Sequence, residues 1–258
     1  MSLFGKMFEK KICSVCGDEI KLLGNRKLED GNLCKNCAGK LSPWFSDRRS
    51  STVEEIREQL AYREAIREAV AAFHITRSFG TGTKLLLDED AGKFMITRAR
   101  DLREANPDVL DLSQITGCDV DVDESKSEVR TKDPEGKSVS YNPPRYTFRY
   151  NFNMVVRVSH PWFDTMRFQL NPSGIEINPN APVPVSRRPN PAVNREYREY
   201  LAMAREIRET LVKAREYARE QAAEAAAPKT AVTWPFCGAS TIPDANGCCE
   251  YCGSALLS

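Results

Sequence analysis

The sequence predicts an α+β fold in which two small cysteine-rich modules flank an antiparallel β domain and a long helix. Three observations predict it. Eight of the nine cysteines stand near the two ends, apolar residues alternate through much of residues 81–178, and a heptad pattern runs through residues 192–227. Period-two and period-3.5 stretches that occupy separate parts of a chain are the mark of strands and helices segregated along it.

The first module, residues 1–50, carries Cys13-Ser-Val-Cys16-Gly17 and, seventeen residues later, Cys34-Lys-Asn-Cys37. Two thiolates two residues apart approach one ion from a tight turn, and four of them satisfy the tetrahedral preference of Zn2+. Gly17 lets the first turn reverse. Asp30–Gly31 reads as a hairpin turn, and Cys34 and Cys37 open a short helix through Leu41. Knuckle, hairpin and helix together give a treble-clef-like or zinc-ribbon module whose folding energy comes largely from its ion. An iron–sulfur site and redox thiols use related spacings and remain alternatives. Four thiolates leave no open coordination position, so the expected zinc is structural.

Residues 51–80 form a connecting amphipathic helix. Ser51–Thr52 with Glu54 and Glu55 supplies a capping box. Val53, Ile56, Leu60, Ile66, Val70 and Phe73 make its apolar face, and Arg57, Glu58, Arg63, Glu64 and Arg67 its polar one. Gly80-Thr-Gly82-Thr-Lys84 lacks the spacing of a phosphate loop and reads as a hinge.

Strand signals then follow closely. Residues 84–88 and 93–97 make a hairpin, 108–112, 118–123 and 128–132 are short strands, 146–158 is a longer one, and 165–170 and 174–177 complete about eight. Such spacing predicts an antiparallel barrel or sandwich over residues 81–178. Asp119, Asp121, Asp123 and Glu124 begin like a calcium loop, but Glu124 stands where glycine is required. Alternation places the three aspartates on one solvated strand face.

Residues 179–227 combine a proline-rich connector with the long helix, for which Asn190 and Pro191 supply the start. Val193, Tyr197, Tyr200, Ala204, Ile207, Leu211, Ala214 and Ala218 form its seam. That seam implies a homodimer through residues 192–227 or a partner within the same chain.

The last module, residues 228–258, reads Trp234-Pro-Phe-Cys237-Gly238 and then Cys248-Cys249-Glu-Tyr-Cys252-Gly253. It resembles a zinc ribbon with tryptophan in the place of the first ligand. Cys237, Cys249 and Cys252 remain for a second, degenerate zinc site. Cys248 or a water is left to fill its fourth corner, unless the metal has been lost.

The first fifty residues, with Cys-x-x-Cys-Gly, Leu23-Gly24-Asn25-Arg26-Lys27-Leu28 and Asp30-Gly31-Asn32-Leu33-Cys34, resemble an uncharacterised bacterial family whose members begin with a four-cysteine domain of unknown function. Leu85-Leu86-Leu87-Asp88-Glu89, Lys93-Phe94 and Asp111-Leu112-Ser113-Gln114-Ile115 look like bacterial pleckstrin-homology-like domains. That resemblance implies a bent barrel closed by a C-terminal helix and a binding role.

The formal net charge of +1 predicts no global field that would draw nucleic acid or an anionic membrane. Residues 1–50 hold ten basic and six acidic side chains, a mild local excess, and residues 81–177 hold thirteen and sixteen. MSLFGKMFEKK is a poor signal peptide, Gly5 is misplaced for myristoylation, and no apolar run approaches the roughly 20 residues that cross a bilayer, so the expected compartment is the cytoplasm. Neither His74 nor His160 sits in a triad-like motif, and Cys118 reads as a small buried residue. The expected function is therefore a non-enzymatic zinc-binding adaptor or scaffold that docks an unidentified protein partner. Nucleic-acid binding through the N-terminal module and lipid binding through the barrel are the alternatives.

Overall fold

The computed structural model of the chain describes residues 11–177, 181–226, 231–244 and 247–255. The readings made on residues 1–10, on 178–180 of the connector and on 227–230 of the terminal linker lie outside the described residues. The chain divides into two units, Met1–Glu216 and Tyr217–Ser258.

The first unit opens with four two-residue strands and a single helical turn. These are β1 (Lys11–Ile12), β2 (Glu19–Ile20), β3 (Arg26–Lys27), β4 (Asn32–Leu33) and α1 (Lys35–Ala38). β1 pairs with β2 and β3 with β4, both antiparallel. So little regular structure buries only a small cluster, in which Cys13, Cys34 and Cys37 pack with Ile20, Leu28, Leu33 and Leu41. The next helix, α2 (Val53–Ala65), adds Ile56 to that cluster, with Val53 and Leu60 packed against it. Its start is fixed twice. Thr52 and Glu55 form the expected capping box, and the Asp30 carboxylate accepts from the Val53 amide at 2.8 Å. Gly31 lets the hairpin approach this closely, since a Cβ there would lie 2.6 Å from Val53 Cγ2 and 2.7 Å from Ser14 Oγ.

The polar face of this helix differs from the expectation at one position. Arg63 is buried, and its guanidinium reaches Asp108 rather than water. The helix also breaks at Ile66 and resumes as α3 (Arg67–Ala72). Gly80 to Lys84 is not a hinge after a helix. Residues 77–79 form a short strand, β5 (Arg77–Phe79), and Gly80, at φ 87°, makes the turn into β6 (Lys84–Asp88). Three residues are too few to show an alternation.

β5, β6, β7 (Lys93–Thr97) and β8 (Val109–Asp111) form an antiparallel meander, with the short helix α4 (Leu102–Ala105) before β8. Leu85, Leu86 and Leu87 are all buried, so β6 is covered on both faces. A second sheet is built on β10 (Ser138–Val158), which pairs along one edge with β9 (Ile115–Lys132) and along the other with β11 (Thr165–Gln169) and β12 (Ile175–Ile177). In β10 the expected alternation holds, with Phe148, Tyr150, Phe152, Met154, Val156 and Val158 buried.

The two sheets do not close into the expected barrel. Alternation tells which side chains point inward but not which edges pair. β9 spends its registry on β10, from Ile115 opposite Val158 to Lys132 opposite Ser138, and pairs with no other strand among the described residues. The polar stretch around Asp123–Glu128, expected as a turn, continues as strand in that ribbon.

After short turns, α5 (Arg195–Ala226) begins, capped by Asn194, whose Oδ1 accepts from the Tyr197 amide at 3.0 Å. Its early seam lies on the second sheet. The Tyr197 ring meets those of Tyr150 and Phe152 edge-on, and Ala204, Ile207 and Leu211 are fully buried. The seam thus has an intramolecular partner, while Val193 and Tyr217 at its ends stay exposed. No described helix is long and apolar enough to cross a membrane. Among the described residues of the second unit, β13 (Val232–Thr233) and β14 (Ser240–Thr241) form a small hairpin.

Candidate metal centres

The first candidate centre grows out of two local turns. Cys13 donates its amide to the Asp18 carbonyl at 2.9 Å, and the Gly17 amide returns to the Cys13 carbonyl at 2.9 Å. This closes a knuckle only because Gly17 adopts φ 79°, where a side chain is disfavoured. Cys34 is the N-cap of α1, and its sulfur accepts from the Cys37 amide at 3.3 Å. The Cys34 amide in turn points at Cys13 Sγ, 3.3 Å away. Amides aimed at sulfur favour thiolates over thiols.

All four sulfurs, of Cys13, Cys16, Cys34 and Cys37, lie within 4.8 Å of one another. Cys16 Sγ and Cys34 Sγ are 3.7 Å apart. A tetrahedron with Zn–S bonds of about 2.3 Å has an edge of about 3.8 Å, so the donor set fits one zinc ion. The separation is far beyond the roughly 2.0 Å of a disulfide, and a cluster of several irons would spread its thiolates wider. Cys13, Cys34 and Cys37 are buried while Cys16 is exposed. Burial by itself would raise the Cys13 thiol, but amides of Cys16, Cys34 and Val15 outweigh it and bring it down to about 6. Burial and the neighbouring cysteines push Cys37 well above its ordinary range. Four adjacent thiolates repel one another unless a cation sits among them, which couples metal binding to deprotonation.

The second centre repeats this backbone. The Trp234 amide donates to the Ala239 carbonyl at 2.9 Å, and the Gly238 amide to the Trp234 carbonyl at 2.8 Å. The same two bonds recur from Cys249 to Ser254 and from Gly253 to Cys249, at 2.9 and 2.8 Å. Gly17, Gly238 and Gly253 share positive φ. Trp234 thus occupies the place held by Cys13 and Cys249 in their knuckles. It is fully buried, and its Nε1 has no hydrogen-bond partner among the described residues.

Cys237, Cys249 and Cys252 come within 4.8 Å of one another, with 3.7 Å between the sulfurs of Cys237 and Cys249. These three thiols fit zinc on three corners of a tetrahedron. Cys248 stands outside the group; its amide donates to Asp244 Oδ1 at 2.8 Å. The Ser254 hydroxyl, 3.0 Å from Cys252 Sγ, and the Ser254 amide lower that thiol to about 7.

The weaker candidates resolve into structural roles. Asp119 pairs with Arg157, while Asp121 and Asp123 face Arg167 at 2.6 and 3.6 Å. Glu124 meets Arg188. These carboxylates are neutralised by arginines far away in sequence, on other strands of the same sheet for the three aspartates and in the connector for Glu124. His160 stacks on Phe163 and meets Tyr62 edge-on, and burial lowers its pKa despite the opposing charge of Asp108. Cys118 is buried, and burial pushes its thiol up to about 12. A thiol so protonated is inert at neutral pH.

Residues 11–59 match a domain of unknown function (DUF4428), a span that takes in both knuckle pairs and the first half of α2. No curated protein and no solved structure matches the chain.

Proposed function

We propose that the chain is a non-enzymatic, cytoplasmic zinc-binding adaptor that docks a protein partner, with metal serving to hold its small modules rigid. One observation carries the docking part. Phe236 and Tyr251 occupy equivalent positions, each just before the last cysteine of its knuckle, and are 74% and 76% exposed. Val15 holds the same position in the first module and packs against that module's core. Large aromatics on rigid turns bury much area at little entropic cost, and they are enriched among residues that dominate protein interfaces.

The test compares full-length protein with a Phe236→Ala/Tyr251→Ala variant as bait. The reading expects a partner recovered in stoichiometric amount by the first and lost by the second, with zinc content equal in both. Equal recovery by both baits contradicts it.

We propose in addition that the β region is related to pleckstrin-homology-like folds. What supports this is the order of elements: a four-stranded meander, a second antiparallel sheet, then a helix laid on that sheet. Pairing of two copies through residues 192–227 would have to use the face of α5 left free by the sheet, and light scattering at varied concentration tests it.

A further inference from the structure

The loop between β2 and β3 presents Leu22 and Leu23 to solvent, 86% and 90% exposed, the two highest values among the exposed large hydrophobic residues of the described chain. Two adjacent leucines are an unfavourable thing to hold in water, and Leu23 is held there in the left-handed region at φ 65°. The conformation is fixed from below. The Gly24 amide closes a turn onto the Lys21 carbonyl at 2.9 Å, and Arg26 reaches back to the Leu23 carbonyl.

Around this tip basic residues outnumber acidic ones, six to three. A hollow beside it is lined by Lys21, Arg26 and Lys35 together with both leucines, and by Asp18 and Glu19 as its acidic members. A second hollow shares Arg26 and adds Lys27, Arg48 and Arg49, with Glu29 as the one acidic residue in its lining. None of these six basic side chains forms an ion pair among the described residues. Arg48 instead donates to the Lys27 carbonyl at 2.8 Å, which aims its positive charge along the same surface. Burial, and then the like charges of Arg26 and Arg49, disfavour protonation of Arg48, so a counter-charge here would be welcome. The formal net charge of +1 hides this concentration, because carboxylates elsewhere in the chain cancel it.

We infer that the N-terminal zinc module docks on anionic lipid membranes, with Leu22 and Leu23 entering the acyl boundary and Arg26, Arg48 and Arg49 holding lipid phosphates. Stable attachment to a bilayer takes two signals together, an apolar insertion and a polybasic patch; the loop supplies the first, and Arg26 with Arg48 and Arg49 beside it the second. Each basic residue near an anionic surface strengthens binding about fivefold, and the contribution fades with salt. An exposed leucine pair is what separates this surface from one built for nucleic acid, where aromatic platforms would face the bases. The inference goes beyond the adaptor reading and uses a surface of the first unit, away in sequence from Phe236 and Tyr251.

The experiment is vesicle flotation of the full-length protein at 0.1 M salt, with vesicles of pure phosphatidylcholine or of phosphatidylcholine with 30% phosphatidylserine. The expected result is flotation with the anionic vesicles only. Leu22→Asn/Leu23→Asn should abolish it, asparagine being well tolerated in the left-handed region. Arg48→Ala/Arg49→Ala should weaken it about 30-fold. Both variants should keep the zinc content of the parent, and the leucine variant its melting temperature as well, since the leucines are exposed. A 20-mer of polyuridylate and millimolar inorganic phosphate serve as competitors. No flotation, undiminished flotation of the leucine variant, or tight binding of the RNA without binding of vesicles would each overturn the inference. Displacement by inorganic phosphate alone would also overturn it, by marking the basic hollow as a site for free anions.

Discussion

Arg63 Nη1 lies 2.9 Å from Asp108 Oδ1, with 9% of the arginine side chain and none of the aspartate exposed. The pair is also hydrogen-bonded on its remaining sides. Arg63 Nε donates to the Lys40 carbonyl at 3.2 Å, and Asp108 accepts from Ser42 Oγ at 2.8 Å and Tyr62 Oη at 3.2 Å. Asn106 returns a bond to the Arg63 carbonyl at 2.6 Å. One helix residue therefore ties the end of the zinc module to the segment that leads into β8. Buried charges are costly unless paired, and removing one partner strands the other. Asp108→Ala is expected to destabilise the first unit by about 3–5 kcal/mol in urea unfolding. A loss below about 1 kcal/mol would show that water reaches the pair.

Loss of one ligand should cost the N-terminal module its ion. Cys37→Ser and Cys13→Ser are each expected to reduce bound zinc by one equivalent and to unfold the module, because its own apolar cluster is small. Zinc analysis together with amide exchange over residues 11–59 checks this. Unchanged protection in metal-free variants would contradict it.

Trp234→Cys should complete the second centre. The knuckle backbone already holds residue 234 where Cys13 and Cys249 stand in theirs. A fourth thiolate is expected to tighten zinc there about 100-fold, taking roughly a quarter of the binding energy of a structural site for each ligand. Competition with a chromophoric chelator reads the change. An unaltered affinity would mean that the fourth corner is already filled by a donor from the protein.

Gly31→Ala tests the contact between hairpin and helix. The new methyl would fall inside contact distance of Val53 Cγ2 and Ser14 Oγ, so a cost of about 1–3 kcal/mol is expected, with zinc still bound. Thermal melting of the zinc-loaded protein measures it.

Much of the N-terminal candidate site was legible because its chemistry is local. Two closely spaced pairs and a glycine specify a knuckle, a turn and a helix start whatever lies elsewhere. The hairpin from Lys84 to Thr97 and the alternation of β10 were legible for the same reason. What escaped was set at long range. Arg63 looks like any other arginine on a polar helix face until Asp108, forty-five residues later, closes over it. Barrel closure depends on edges, and the long ribbon of β9 and β10 took its register through a stretch of Asp, Glu and Ser that reads locally as a turn. Cys249 follows from its spacing to Cys252, but the place of Cys248, left open as a fourth ligand, is shown only by the fold, which keeps it outside the cluster.

The central claim is that Cys13, Cys16, Cys34 and Cys37 hold one zinc ion through four sulfurs. X-ray absorption at the zinc edge, on full-length protein purified without added metal, tests it most directly when combined with a metal count on the same sample. The account predicts at least one tightly held zinc per chain and a shell of sulfur at about 2.3 Å. Absence of stoichiometric zinc, with all four thiols alkylated freely in the native protein, would contradict it.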